Sequence, residues 1–210
     1  MSSPRRKPRA SYHHGDLRQA LVDAALRALA VQRVEDLSLR ALGRELGVSP
    51  RAPYRHFATK EALLAAVAVE GFRLFGDLAA KRVAAAGDDA LMRLRAVAES
   101  YVLFAVEHPA AFRVMYAPYA TVEEAAPELV RARSEGHAAS MAIIEEGQAK
   151  GLLRKGDPMQ LALLLWTTTH GLAVLLIEGQ LGRYDRPIEA KKIAHLVAGL
   201  MLEGLLPRKK

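Results

Sequence analysis

The sequence predicts an all-α protein: a three-helix head containing a helix-turn-helix, followed by a larger helical bundle, about nine helices in total. Three observations predict it. Apolar residues recur at three- and four-residue spacing along most of the chain. No segment shows the two-residue alternation and β-branched enrichment of strands. Gly, Asp and Pro interrupt the pattern at helix-length intervals.

Residues 1–11 (MSSPRRKPRAS) are rich in Pro, Ser and Arg and read as a disordered basic arm: a solvated tail, or an arm that reaches a nucleic-acid groove. Leu17, Ala20, Leu21, Ala24, Ala28 and Val31 then form one helical face. Asp16 is the expected N-cap, and the helix is expected to end near Gln32 or Arg33. Ser38 is the expected cap of a second helix with Leu39, Leu42 and Leu46 on one face, stopped by Gly47. Ser49-Pro50 opens a third, over 49–57, with proline at the first helical position, where its missing N–H matters least. Pro53, at the fourth position, removes one backbone bond to the cap residue and stiffens this short element. Thr59 caps a fourth helix running to about Arg82, with Glu61 in its positive first turn.

Beyond it, helices are separated by breaks at Gly87-Asp88-Asp89, His108-Pro109, Ala117-Pro118, Ala126-Pro127, Gly151 to Pro158 and Gly182 to Pro187. The last two, about Met159–Gln180 and Ile188–Leu206, have broad apolar faces. Pro158 to Ile177 contains no Asp, Glu, Lys or Arg and approaches membrane-spanning length. It carries Gln160, Thr167, Thr168, Thr169 and His170 and lacks flanking aromatic belts, so it reads as a helix buried in protein on most sides and not as a membrane span.

Charge is unevenly distributed. Residues 1–60 hold 12 Lys+Arg and 5 Asp+Glu, a balance of +7, whereas residues 61–210 hold 18 of each. Localised positive charge is the footprint of a polyanion partner; an anionic membrane surface would be attracted as well. There is no cysteine, which excludes disulfides and thiolate metal sites and fits a cytoplasmic setting. No nucleophile elbow, phosphate-binding glycine loop or H-E-x-x-H motif is present, so neither a catalytic residue nor a cofactor is expected. His13-His14, in an extended segment, make a poor chelate, and no metal site is expected.

Two short helices joined by a tight turn, after a stabilising first helix, have the layout of a helix-turn-helix. The run from Leu37 to Leu64, with Tyr54-Arg-His-Phe57 followed by Lys60-Glu-Ala-Leu63, closely resembles the DNA-binding head of the TetR family of repressors. The detailed likeness covers about residues 12–70. Trp166-Thr-Thr-Thr-His170-Gly171 resembles a C-terminal domain found in one branch of that family. By position, the resemblance implies that Arg40 meets the backbone or a base edge. Pro50, Arg51, Ala52 and Arg55 would face the major groove, and Tyr54, His56 and Lys60 would contact phosphates. The chemistry agrees: Arg51 can bond guanine O6 and N7 together, and the Ala52 methyl can pack on a thymine methyl. Lys60 lies in a first turn, where a cation opposes the helix dipole, so a phosphate partner would account for it.

The resemblance further implies a homodimer joined through the last two helices, binding a palindromic operator in double-stranded DNA and released by a small-molecule effector of unknown identity. Residues 12–60 would form the DNA-binding domain and 61–210 the ligand-sensing and dimerisation domain. In the body, Tyr101 and Phe104 share a face, as do Met115 and Tyr116, and Trp166 and His170 lie four apart with Leu163 and Val174. Each fits either core packing or the wall of an effector pocket. Trp166 and His170 are the best pair for a pocket, since indole N–H and imidazole need partners when buried.

Overall fold

The structure, a computed structural model, describes residues 17–117, 127–183 and 187–207. Among them are eight α-helices and no strand: α1 (Leu17–Leu29), α2 (Leu39–Glu45), α3 (Lys60–Ala85), α4 (Ala90–Glu107), α5 (Pro109–Met115), α6 (Pro127–Ala149), α7 (Pro158–Ile177) and α8 (Ala190–Glu203). The basic arm and Asp16 lie outside the described residues.

The expected third helix is the missing ninth. Residues 49–57 wind instead as a tighter 3-10 turn over Pro53–Arg55, held by bonds from Ala52 N to Ser49 O, Arg55 N to Ala52 O and His56 N to Pro53 O. Pro53 explains it: without an N–H it cannot bond back to the Ser49 carbonyl, which accepts from Ala52 N instead, and Phe57 N to Pro53 O is left as an isolated i→i−4 bond. The first helix also stops earlier than expected. Ala30 and Val31 are held by i→i+3 bonds, and Val31 is 89% exposed, with no core behind it. At the start of α2, Ser38 caps with its carbonyl alone, accepting from Leu42 N; its hydroxyl makes no cap bond. Thr59 does cap α3, its Oγ1 accepting from Ala62 N at 3.2 Å, and Asp89 caps α4 by accepting from Leu91 N and Met92 N. Gly47, at φ +72°, supplies the left-handed residue that ends α2.

The long α3, about 39 Å at 1.5 Å per residue, belongs to both halves of the molecule. Its first turns bury Leu63, Leu64, Val67 and Ala68 in one core with Leu21, Val22 and Ala25 of α1, Leu39 and Leu42 of α2, and Phe57. That same core continues through Phe72 into Phe104, Phe112 and Met115 of α4 and α5. A second core holds Leu94, Ile144, Leu161, Leu165 and Leu202, with Val83 near the end of α3 packed against it. Helix α4 runs through the middle, against α3, α7 and α8.

Helix α7 is less enclosed than expected. It is long and apolar enough to cross a membrane, but Leu161, Ala162, Leu165, Thr169, Leu172 and Ala173 are packed into the bundle. Met159, Leu163, Leu164 and Leu175 face outward, as do Leu196 and Leu200 on α8. Leu163 therefore does not share the inner face of Trp166.

Candidate nucleic-acid interface and ligand cavity

The head presents its predicted reading residues to the outside. Arg40, on the first turn of α2, is exposed, and so are Pro50, Arg51, Arg55 and His56 on the turn that follows α2. Tyr54 is 43% exposed, which separates it from the core, whereas Phe57 is buried at 3%. Ala52 is half-buried. Arg40, Arg51 and Arg55 have no ion-pair partner among the described residues, so their charge is open to an anion.

The turn is held rigidly against α2. Pro53 is buried, and a Cβ placed on Gly43 would come within 2.8 Å of its Cγ. Only glycine lets the two elements approach this closely. The Arg27–Glu45 pair at 3.1 Å ties α1 to α2. The Arg18 guanidinium lies over the Phe57 ring at 5.4 Å and reaches Glu128 of α6 at 3.6 Å. Lys60 is half-buried, and its ammonium donates to the Glu35 carbonyl oxygen at 2.8 Å. It thus anchors the start of α3 to the preceding turn, a partner that spacing alone did not reveal.

In the body, α3, α4, α6 and α7 line a cavity, open to solvent on one side, of about 1210 Å³, above the usual size for small-molecule sites of roughly 300–1,000 Å³. Of the six predicted pocket residues, Tyr101, Tyr116 and Trp166 line it. Phe104 and Met115, each 1% exposed, belong instead to the core behind it, because their faces of α4 and α5 meet α3 and the head. His170 stands in a layer behind the wall, stacked on Phe112 at 5.5 Å between centroids. The spacing reading missed the contribution of α6, which supplies Arg133 and His137, and of α3, which supplies Phe72 and Phe75.

Polar groups of the wall bond to one another and to His170 behind it. Trp166 Nε1 donates to the Tyr101 hydroxyl oxygen at 3.2 Å, and the Tyr101 hydroxyl lies 2.8 Å from His170 Nδ1. Indole can only donate, so Tyr101 accepts from it and donates onward to an unprotonated Nδ1. That assignment needs a neutral imidazole, and burial indeed pushes the His170 pKa down. Burial pushes the Tyr101 and Tyr116 hydroxyls up, so both stay protonated donors. His137, edge-on to Trp166 at 5.5 Å, is held below the usual imidazole range by burial and then by the nearby Arg133 charge.

The chain's likeness to known proteins can be set beside this geometry. Residues 21–67 match the family described as bacterial regulatory proteins, tetR family, and residues 94–199, half of the chain, match the family described as tetracyclin repressor-like, C-terminal domain. An uncharacterized HTH-type transcriptional regulator of Bacillus subtilis, YobS, is 34% identical over 96 residues, which span 45% of this chain and 49% of that protein. The chain thus aligns with about half the length of this curated relative. A protein of unknown function from Rhodococcus sp. RHA1 superposes with a TM-score of 0.83 at 33% identity, over 94% of this chain and 100% of that one. The structure of AibR in complex with isovaleryl coenzyme A and operator DNA gives a TM-score of 0.66 at 18% identity, over 87% and 96% of the two chains, a likeness of fold. The matched families are regulatory rather than enzymatic, and with both halves accounted for, the chain belongs to the TetR family of bacterial regulators.

Proposed function

We propose that this chain is a cytoplasmic transcriptional repressor that binds a palindromic operator as a homodimer and is released from it by a small-molecule effector. The observation that carries this reading is the continuous core joining the exposed, cationic reading turn to the wall of a large cavity through the single helix α3. Arg40, Pro50, Arg51, Ala52 and Arg55 read the major groove or the backbone beside it, and Tyr54, His56 and Lys60 hold phosphates, with Lys60 exchanging the Glu35 carbonyl for a phosphate oxygen on DNA. The head comprises residues 12–60 and the body 61–210, with α3 carrying the signal between them. An effector that separates α3 from α6 tilts the start of α3, and with it the heads of a dimer, out of register. Linkage makes the effect reciprocal, so operator DNA weakens effector binding by the same factor.

The outward leucines of α7 and α8 are the face that a second copy covers; Leu196 and Leu200 are 53% and 59% exposed in the single chain. Two heads across a two-fold axis would then sit about 34–36 Å apart, one DNA turn. The AibR complex, with both an acyl-coenzyme A and an operator bound, shows that this fold can accommodate both ligands. Selection of genomic fragments by the purified protein should recover a short inverted repeat, and sedimentation should give about twice 22.9 kDa. Recovery of unrelated fragments, or a monomer at all concentrations, would overturn the reading.

A further inference from the structure

The cavity lies along the seam between the two cores. At one end its wall belongs to the core shared with the head: Phe72, Tyr101, Tyr116 and Trp166. At the other it belongs to the second core: Val83, Val97, Ile143 and Leu165. Two helices run the length between them. From Phe72 to Val83 on α3, and from Ala132 to Ile143 on α6, the wall advances about 16 Å at 1.5 Å per residue. The space is therefore a slot. Four residues past Phe72 is Gly76, and four past Ala132 is Gly136, so the two glycines stand at about one level of the slot. A Cβ at either would meet nothing within 4 Å. Neither packing nor a left-handed backbone requires glycine there, and each weakens its helix relative to alanine. Their missing side chains keep the slot wide.

The charges along the slot cancel. Its lining residues include four arginines and four carboxylates, with Asp88 and Arg93 at the second-core end and the rest nearer the rings. Arg73 is paired with Glu70 and Asp77, Arg131 with Glu135, Arg93 with Glu146, and Glu128 with Arg18. Arg133 donates to the Met115 carbonyl oxygen at 3.4 Å, and Asp88 stands exposed. The uncharged polar groups are engaged as well. The Tyr101 hydroxyl accepts from Trp166 and donates to His170. Thr169 donates to the Leu165 carbonyl at 2.8 Å, and Ser140 to the Gly136 carbonyl at 3.4 Å. A charged ligand would have to break an ion pair or leave its own charge without a partner in the slot, a penalty that an apolar body does not meet.

Resting on the effector reading above, we infer that the cavity's ligand is an uncharged, elongated apolar molecule that lies along α3 and α6 and touches both cores. Burial of its apolar length supplies the affinity, and the seam it fills is the one that α3 spans on its way from head to body.

The test uses the full chain with straight-chain alcohols from 1-hexanol to 1-decanol, and with decanoate and decyltrimethylammonium, all below their solubility or micelle-forming limits. Trp166 is the only tryptophan and lines the slot, so its emission reports occupancy. The ligand-induced rise in melting temperature checks that signal. Affinity should climb about fourfold per methylene through the whole alcohol series, and 1-decanol should act at about tenfold lower concentration than either ion. A plateau before 1-decanol would mean a compact site, and an ion that binds as tightly would mean a charged one; either overturns the proposal. Gly76→Leu and Gly136→Leu should each weaken 1-decanol by about tenfold or more without lowering the melting temperature of the unliganded protein. A response that survives both variants would place the alcohol on the outward leucines of α7 and α8, and variants that melt lower would show that the fold needs the glycines. Both outcomes also overturn it. If the protein selects DNA but binds none of the alcohols, the ligand class fails and the regulator reading stands. If 1-decanol binds as expected and no DNA is selected, the regulator reading fails and the assignment of the slot stands.

Discussion

The reading turn and the cavity wall are built on opposite terms. On the turn, Arg51, Arg55 and His56 stand exposed, while a single buried proline and the glycine beneath it fix where the turn sits. At the inner side of the cavity, Tyr101 and Trp166 of the wall and His170 behind it satisfy one another, beside rings and alanines. The turn leaves its polar groups open to a partner and spends its packing on position. This inner side of the wall pairs its polar groups with one another and leaves volume open. A surface that waits for a polyanion needs unspent charge; a surface that waits for an apolar body needs unfilled space.

The largest test of that contrast asks whether the two regions are one folding unit. Phe104 is buried at 1% in the core that joins head and body. Phe104→Ala should cost about 3–5 kcal/mol and lower a single thermal transition seen both by helix content and by Trp166 emission. Two separate transitions would divide the head from the wall. On the reading side, Arg51→Ala should leave stability unchanged and cost about 1–3 kcal/mol per half-site, with discrimination flattened at one base position. A mutational scan of the operator that shows unchanged discrimination would remove Arg51 from the base readers.

The seat of the turn comes next. Gly43→Ala sets a methyl against Pro53 Cγ at 2.8 Å. Overpacking of that kind costs about 1–3 kcal/mol, and the gain in helix propensity returns about 1 kcal/mol, for a net loss of up to about 2 kcal/mol by denaturant titration. Adding Pro53→Ala should recover most of it; independent losses would mean the two do not press on each other. Lys60→Ala should weaken operator and random DNA by a similar factor and reduce the salt slope of a dimer by roughly 1.8, from about 0.9 per phosphate contact. An unchanged slope would leave Lys60 with only its Glu35 tether.

The smallest effect is one of pH. His170 and His137 have pKa values depressed by burial. Their contribution to stability is therefore present above the ordinary imidazole pKa, about 6.5, and is lost as pH falls through the depressed values, because the unfolded chain takes up the protons first. Protonating Nδ1 also removes the acceptor that Tyr101 uses. The melting temperature should fall on acidification from about pH 7.5 to about 5, and His170→Gln should flatten part of that fall. An identical profile in the variant would show that His170 is not held neutral by the fold.

Much of this was legible from particular residues. Thr59, Asp89 and Gly47 announce helix ends through chemistry that acts within one turn, and each behaves as its type requires. The exposure of Arg40, Arg51, Arg55 and His56 was legible because it follows from a motif with fixed spacing. The short third helix was misread at a local level: Pro53 removes the donor that would bond back to Ser49, a signal present in the sequence and underweighted. The cavity was half legible. Aromatic residues mark a wall, yet whether Tyr101 or Phe104 faces the space depends on how α4 crosses α3 and α7, which helical spacing does not encode. Arg133 and His137 were missed because which face of α6 turns inward depends on its packing against α3, α4 and α7.

The way α3 is shared has a consequence for anyone who would recombine such regulators. Residue 60 looks like a natural cut, the end of one motif and the start of another. A graft made there would leave Leu63, Leu64, Val67 and Ala68 in the recipient, facing an α1 they did not evolve beside. The transplantable unit carries the first two to three turns of α3 with it. The joint belongs past Ala68, just before Phe72 enters the cavity wall.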